Sequence, residues 1–150
     1  MNIRSEIEKD LNTALRAGDD VRKRTLRMAI AAIKLAEIDK GEKLDDPAVI
    51  SILQKEIKSR RESIADAQRA QRTDLVDQAE SEIAILEAYL PKPFSEQELE
   101  SMVREAIEAT GATSIKQSGQ VMKHLMPRLQ GRAEGSRVHQ LVRTLLESSE

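Results

Sequence analysis

Lys116, Gln120 and Lys123 recur at intervals of four and three residues, and Arg137, Gln140 and Arg143 at intervals of three. At helical pitch each trio falls on one face. Opposite the first lie Ile115, Met122, Leu125 and Leu129, and opposite the second Val138, Leu141 and Leu145. Arg128 and Arg132 stand at the intervening turn. Two such helices sharing one core would present cations and amides outward. That surface suits a phosphate backbone, because cations release condensed counterions and amides donate short-range hydrogen bonds. The only aromatic residues are Tyr89 and Phe94, so base stacking has little to build on, and a folded RNA is expected rather than an extended single strand. An ordinary solvated helical face would carry the same charges, and charge alone does not separate the two readings.

Other chemistry finds less support. The chain has no cysteine, which removes disulfides, thiolate zinc sites and cysteine nucleophiles together. His124 falls on the polar side with Lys116, Gln120 and Lys123, and His139 among polar and boundary positions, with only Glu134 nearby as a further ligand. Both read as solvated or RNA-contacting histidines rather than metal ligands or bases. Acids such as Glu80 with Glu87 and Glu96 with Glu100 lie on polar helix faces. Carboxylates act as general acid and base only where burial separates their pKa values, so these read as solvated or as docking onto a basic neighbour. The glycines at 111, 119, 131 and 135 fit no nucleotide fingerprint, and neither a phosphate loop nor a nucleophile elbow occurs. No catalytic, cofactor or metal site is expected. Two further basic clusters remain. Arg22, Lys23, Arg24 and Arg27 sit where a helix dipole opposes positive charge. Lys55, Lys58, Arg60, Arg61, Arg69 and Arg72 are interleaved with Glu56, Glu62 and Asp66, which can pair with them on the helix surface.

The elements that must position these residues are all helical. With 33% charged residues and a core restricted to Leu, Ile, Val, Met and Ala, the composition favours helix over sheet. A first helix is expected over 3–17, with Ile3, Ile7, Leu11 and Leu15 inward and Gly18 as its cap. A second starts at Asp19 or Asp20, buries Leu26, Ala29, Ile30 and Ile33, and ends near Lys40 and Gly41. Asp46 before Pro47 is a strong start for a third, which carries Ile50, Leu53, Ile57 and Ile64 to about Ala70. A fourth, from Thr73 or Asp74, carries Val76, Ala79, Ile83, Leu86 and Leu90. Pro91 and Pro93 stop it. Ser95 with Glu98 forms a capping box for a fifth helix, with Leu99, Val103, Ala106 and Ile107 inward and Gly111 at its end. Ser114 with Gln117 repeats the device for a sixth helix from Ile115 to about Met126, closed by Pro127 and Gly131, and a seventh begins near Ser136.

The implied architecture is an all-α chain: an N-terminal bundle of about four helices over 1–90, a linker over 91–94 and a small helical domain over 95–150. Tyr89 and Phe94 are expected to pack the two parts together. Charge is segregated along this plan, with residues 73–110 carrying 2 basic and 10 acidic groups and residues 111–146 carrying 6 basic and 1 acidic. Segregation of this kind concerns partners or internal docking rather than fold. The charged opening, MNIRSEIEKD, and the lack of a membrane-length apolar run lead to the expectation of a cytoplasmic protein with no membrane partner.

The stretches LRMAIAAIKLAEIDKG, LQKEIKSRRESIADAQRAQRTDL, EIAILEAYLPKPFSEQEL and GQVMKHLMPRLQGRAEGSRVHQLVRTLL resemble the YqeY family over nearly the whole chain. That resemblance implies an N-terminal bundle followed by a three-helix domain related to the C-terminal tail of the tRNA-dependent amidotransferase B subunit. In that enzyme the tail helps engage the tRNA body, and the glutaminase and activating chemistry reside elsewhere. Ser118 stands where a methionine is usual and Glu134 where an aspartate is usual, and neither change threatens the fold. The expected function is a non-catalytic accessory protein that contacts tRNA or another structured RNA through Lys116, Gln120, Lys123, Arg128, Arg132, Arg137, Gln140 and Arg143. Two alternatives stand beside it, the first implied by the resemblance and the second by the polar faces of the N-terminal bundle. One is participation in tRNA-dependent amide transfer, a carbon-nitrogen ligase activity with glutamine as amido donor. The other is a helical adaptor that binds a protein of the translation or tRNA-amidation machinery.

Overall fold

A computed structural model describes residues 2–149. Among them are seven α-helices and no strand: α1 (Ile3–Ala17), α2 (Asp20–Lys40), α3 (Asp46–Arg69), α4 (Thr73–Glu87), α5 (Glu96–Thr110), α6 (Ser118–Leu129) and α7 (Gly135–Ser149). They fall into two compact units, Met1–Leu90 and Pro91–Glu150.

The first unit holds α1 to α4 around Ile7, Leu26, Ala29, Ile30, Ile33, Leu53, Ile57, Ile83 and Leu86. The inward stripe of α2 is the expected one. That of α1 is not, because Leu15 is 42% exposed and Ala14 takes its place. Seven residues from Ile7 return to within about 20° of its direction, whereas eight overshoot by about 80°. On α3 Val49 is buried and Ile50 only half-buried, and the same stripe continues through Leu53 and Ile57 to Arg60, a charged residue in a core position.

Two aspartates divide the work at the start of α3. Asp45 is the cap, its carboxylate accepting from the Ala48 N–H at 3.1 Å. Asp46, expected to do this, instead accepts from the N–H of Ile3 at 3.0 Å and so ties the first residue of α1 to α3. Glu37 makes a second tie. One carboxylate oxygen accepts from Arg4 at 3.0 and 3.2 Å, and the other from the Leu44 N–H at 3.0 Å, closing the turn after α2. The Leu44 N–H, with Arg4 adding to it, holds the Glu37 carboxyl below its ordinary range. A carboxyl depressed in the folded state stabilises fully above its unfolded pKa, about 4.3, and less as pH falls through its folded value. The stability gap between the native chain and Glu37→Gln is therefore expected to be present at pH 7 and to close towards pH 3, as read from urea midpoints. An equal gap at both pH values would show that the carboxylate charge contributes nothing.

Helix α4 ends at Glu87, short of the expected Leu90. Residues 89 and 90 continue with tighter bonds to Leu86 and Glu87, since Pro91 disfavours helical geometry in the residue before it. Tyr89 packs on the first unit's core, and its hydroxyl donates to Asp10 at 2.5 Å. Burial, with Asp10 beside it, pushes this phenol well above its usual pKa.

The second unit packs α5, α6 and α7 around Leu99, Val103, Ala106, Val121, Leu125, Leu129, Val138, Val142 and Leu146. The Ser95–Glu98 capping box is present in both directions. The second expected box is not formed: Ile115–Gln117 is a tight 3-10 turn, and Ser114 makes no side-chain cap. Gln117 turns back instead, its carbonyl accepting from the Thr113 N–H at 2.7 Å. Pro127 also fails to end α6, which continues to Leu129 and closes on Gln130 in the left-handed conformation. Burial of both Leu125 and Leu129 holds that last turn in place despite the proline's missing donor. Phe94 packs on this unit's core, as Tyr89 does on that of the first.

Candidate nucleic-acid interface

The cationic residues singled out above all lie in the second unit, and its net charge is informative. It carries eight basic and eight acidic residues, so it is not basic as a whole. The acids cluster on α5 and the bases on α6, α7 and the segments around them.

Helix α6 buries Val121, Leu125 and Leu129. Lys123 is two residues beyond Val121, about 200° round the helix, and therefore points away from the core. Lys123, Gln120 and Arg128 are exposed. Lys116 is exposed as well, but it sits in the 3-10 turn before α6 rather than on the helix, so its spacing to Gln120 is not that of a continuous α-helix. On α7, Arg137, Gln140 and Arg143 are exposed while Val138 and Val142 are buried. His124 and His139 are also exposed. No group of three or more His, Asp or Glu side chains among the described residues is arranged to hold a metal ion.

The cations divide by what they touch. Lys116, Lys123 and Arg143 carry no ion pair among the described residues. Arg137 is held by Glu96 in a two-pronged pair, 2.6 Å and 3.2 Å, which lowers the Glu96 carboxyl below its ordinary range and raises the guanidinium. Arg128 lies 3.5 Å from Glu105. Both pairs are open to water, where such contacts contribute little to stability, so a phosphate can displace the carboxylate. Arg132 is different. It is half-buried, its Nε donates to the Lys92 carbonyl at 2.8 Å, and its guanidinium lies 3.8 Å from the centre of the Phe94 ring. Its own carbonyl accepts from the Phe94 N–H at 2.9 Å, so Arg132 clamps Lys92–Phe94 onto the α6–α7 loop. Glu105 was missed as a member of this surface, whereas Glu96 docks onto a basic neighbour, one of the two readings open to the acids of α5. A separation of 41 positions between Glu96 and Arg137 leaves no trace in local spacing.

Fold and surface together define an all-helical protein with exposed, partly unpaired cations on two adjoining helices. The chain belongs to the YqeY family: the model described as Yqey-like protein matches residues 4–146. It is similar to the protein named Altered inheritance of mitochondria protein 41, mitochondrial, from Lachancea thermotolerans, at 38% identity over 117 residues, 76% of this chain and 60% of that one. The protein of the same name from Pyrenophora tritici-repentis is 32% identical over 133 residues, 87% of this chain and 72% of that one. The Kluyveromyces lactis protein is 39% identical over 84 residues, 55% and 45% respectively. The chain spans about half the length of several relatives of this name, 60%, 46% and 45% in three of those at 38% or 39% identity.

These names correct one expectation. The relatives are named as mitochondrial proteins, which contradicts a cytoplasmic assignment. The features behind that assignment do not bear on compartment. No helix among the described residues is long and apolar enough to cross a membrane, and neither this nor the absence of cysteine distinguishes one aqueous compartment from another.

Proposed function

We propose that the chain is an accessory protein whose α6–α7 surface binds the phosphate backbone of a folded RNA, with tRNA as the expected class. The observation that carries this reading is the set of Lys116, Lys123 and Arg143, exposed cations without an ion pair among the described residues, in a segment where bases outnumber acids 6 to 1. Gln120 and Gln140 add donors beside them. Arg128 and Arg137 join by exchanging Glu105 and Glu96 for phosphate oxygens. Arg132 contributes by keeping the loop between the helices in shape. The likeness of the second unit to the tail of an amidotransferase subunit that engages tRNA supports the same reading.

Titration of tRNA at two salt concentrations tests it. Binding is expected at low salt and should weaken steeply as salt rises. Replacing Lys116, Lys123 and Arg143 together with glutamine is expected to weaken it by roughly 10- to 100-fold and to reduce the slope of log K against log salt by about 2–3. No binding at low salt, or unchanged binding by the triple variant, would end the reading.

A further inference from the structure

We propose that the outward face of α2 is a docking site for an amphipathic helix of another protein, one whose apolar stripe is bordered by carboxylates. Helix α2 buries Leu26, Ala29, Ile30 and Ile33 on one side. The opposite side of an ordinary surface helix is polar. Here it carries Met28, 50% exposed, Leu35, 62% exposed, and Ile38, 76% exposed, with Ala31 exposed between them. The intervals of three, four and three residues are those of a coiled-coil seam. Other large exposed apolar side chains, such as Leu75 on α4 and Met126 on α6, occur singly on their helices.

Charge at the edge of the seam selects the partner. Arg27 and Lys34 each immediately precede a seam residue, at the position that borders a coiled-coil interface. Neither has an ion pair among the described residues, whereas neighbouring Arg22, Lys23 and Arg24 pair with Asp19, Asp20 and Glu82. Two unpaired cations beside an exposed apolar strip are complemented by glutamate or aspartate flanking the stripe of an incoming helix. Arg24 holds the seam position before Met28 and is turned towards Glu82 at 3.7 Å, so the usable strip runs from Met28 to Ile38, about three turns. Contiguous exposed apolar side chains on a single chain mark interaction sites. Four side chains over three turns of one helix are far fewer than the roughly 20–30 residues a side of a standard interface. Antiparallel pairing of two copies would also bring their Arg27 and Lys34 borders together, and the single carboxylate on the opposite border, Asp39, is too few to pair both cations. Both considerations favour a short helix from a different chain over a second copy. Nothing in this inference depends on RNA binding, since every residue it uses lies in the first unit.

Two synthetic peptides of about 20 residues, identical in their leucine stripe and bordered either by glutamate or by lysine, provide the probe. The native chain should bind the glutamate peptide at least 10-fold more tightly than the lysine peptide. Leu35→Glu with Ile38→Glu should abolish binding, with an unchanged melting temperature showing that the fold survives at these exposed positions. Arg27→Glu with Lys34→Glu should reverse the preference towards the lysine peptide. Equal binding of the two peptides, binding of neither, or no reversal on charge exchange would overturn the proposal. So would sedimentation showing a dimer of the chain that Leu35→Glu dissolves, which would make a second copy the occupant.

Discussion

Glu82→Ala is expected to cost the first unit about 2–3 kcal/mol, because it takes from a buried guanidinium one of its two carboxylate partners. Arg60 and Glu82 are 7% and 8% exposed and face each other between α3 and α4. The Arg60 Nε donates to Glu82 at 3.0 Å, and its NH1 donates to the Glu56 carboxylate at 2.9 Å and the Glu56 carbonyl at 3.1 Å. Arg24 approaches the other oxygen of Glu82 at 3.7 Å. Removing the glutamate leaves Arg60 with its solvation already lost and only Glu56 to pair with. The pair itself need not be a net gain, since desolvation offsets much of the attraction. Replacing both residues, Arg60→Met with Glu82→Leu, is therefore expected to recover most of the loss. Urea unfolding of the three proteins checks this, and a cost below about 1 kcal/mol for Glu82→Ala would mean that water reaches the guanidinium.

Leu125→Ala is expected to have an effect of similar size in the second unit, about 2–5 kcal/mol, through lost transfer energy and a cavity between helices. Leu125 is fully buried among the residues of α5, α6 and α7. A unit of this size buries a smaller share of its surface than a larger domain and has little stability to spare. If the two units fold separately, the variant loses its second unit first. Tyr89, the only tyrosine, packs in the first unit and reports on it alone. Helical circular dichroism should fall with a first transition while the Tyr89 signal persists to a second. A single coincident transition would show instead that the units unfold as one.

Helix existence was readable because local chemistry sets it. Gly18, Gly41 and Gly111 supply left-handed caps, with φ of 69°, 80° and 69°, and Ser95 and Glu98 satisfy each other's neighbouring donors. These interactions close within four residues and need no other part of the chain. The inward stripe of α2 was readable for the same reason. Where the reading slipped, a distant residue had intervened: Ile3 takes the Asp46 carboxylate away from capping, and burial of Leu129 carries α6 past Pro127.

The surface shows the same division. Which residues are cationic, and that they cluster late in the chain, follows from the order of amino acids, and exposure of Lys123, Arg137 and Arg143 follows from helical pitch. Which of them are free does not. Arg132 is committed to Phe94 across 38 residues of chain and Arg137 to Glu96 across 41, pairings made by the packing of α5, α6 and α7. Arg60 reads as one more member of a basic surface run until the packing of α4 against α3 buries it beside Glu82. Periodicity locates an apolar residue on a helix. Only the neighbours decide whether it is covered, which is why Met28, Leu35 and Ile38 stay outside while Leu26, Ile30 and Ile33 on the same helix form the core.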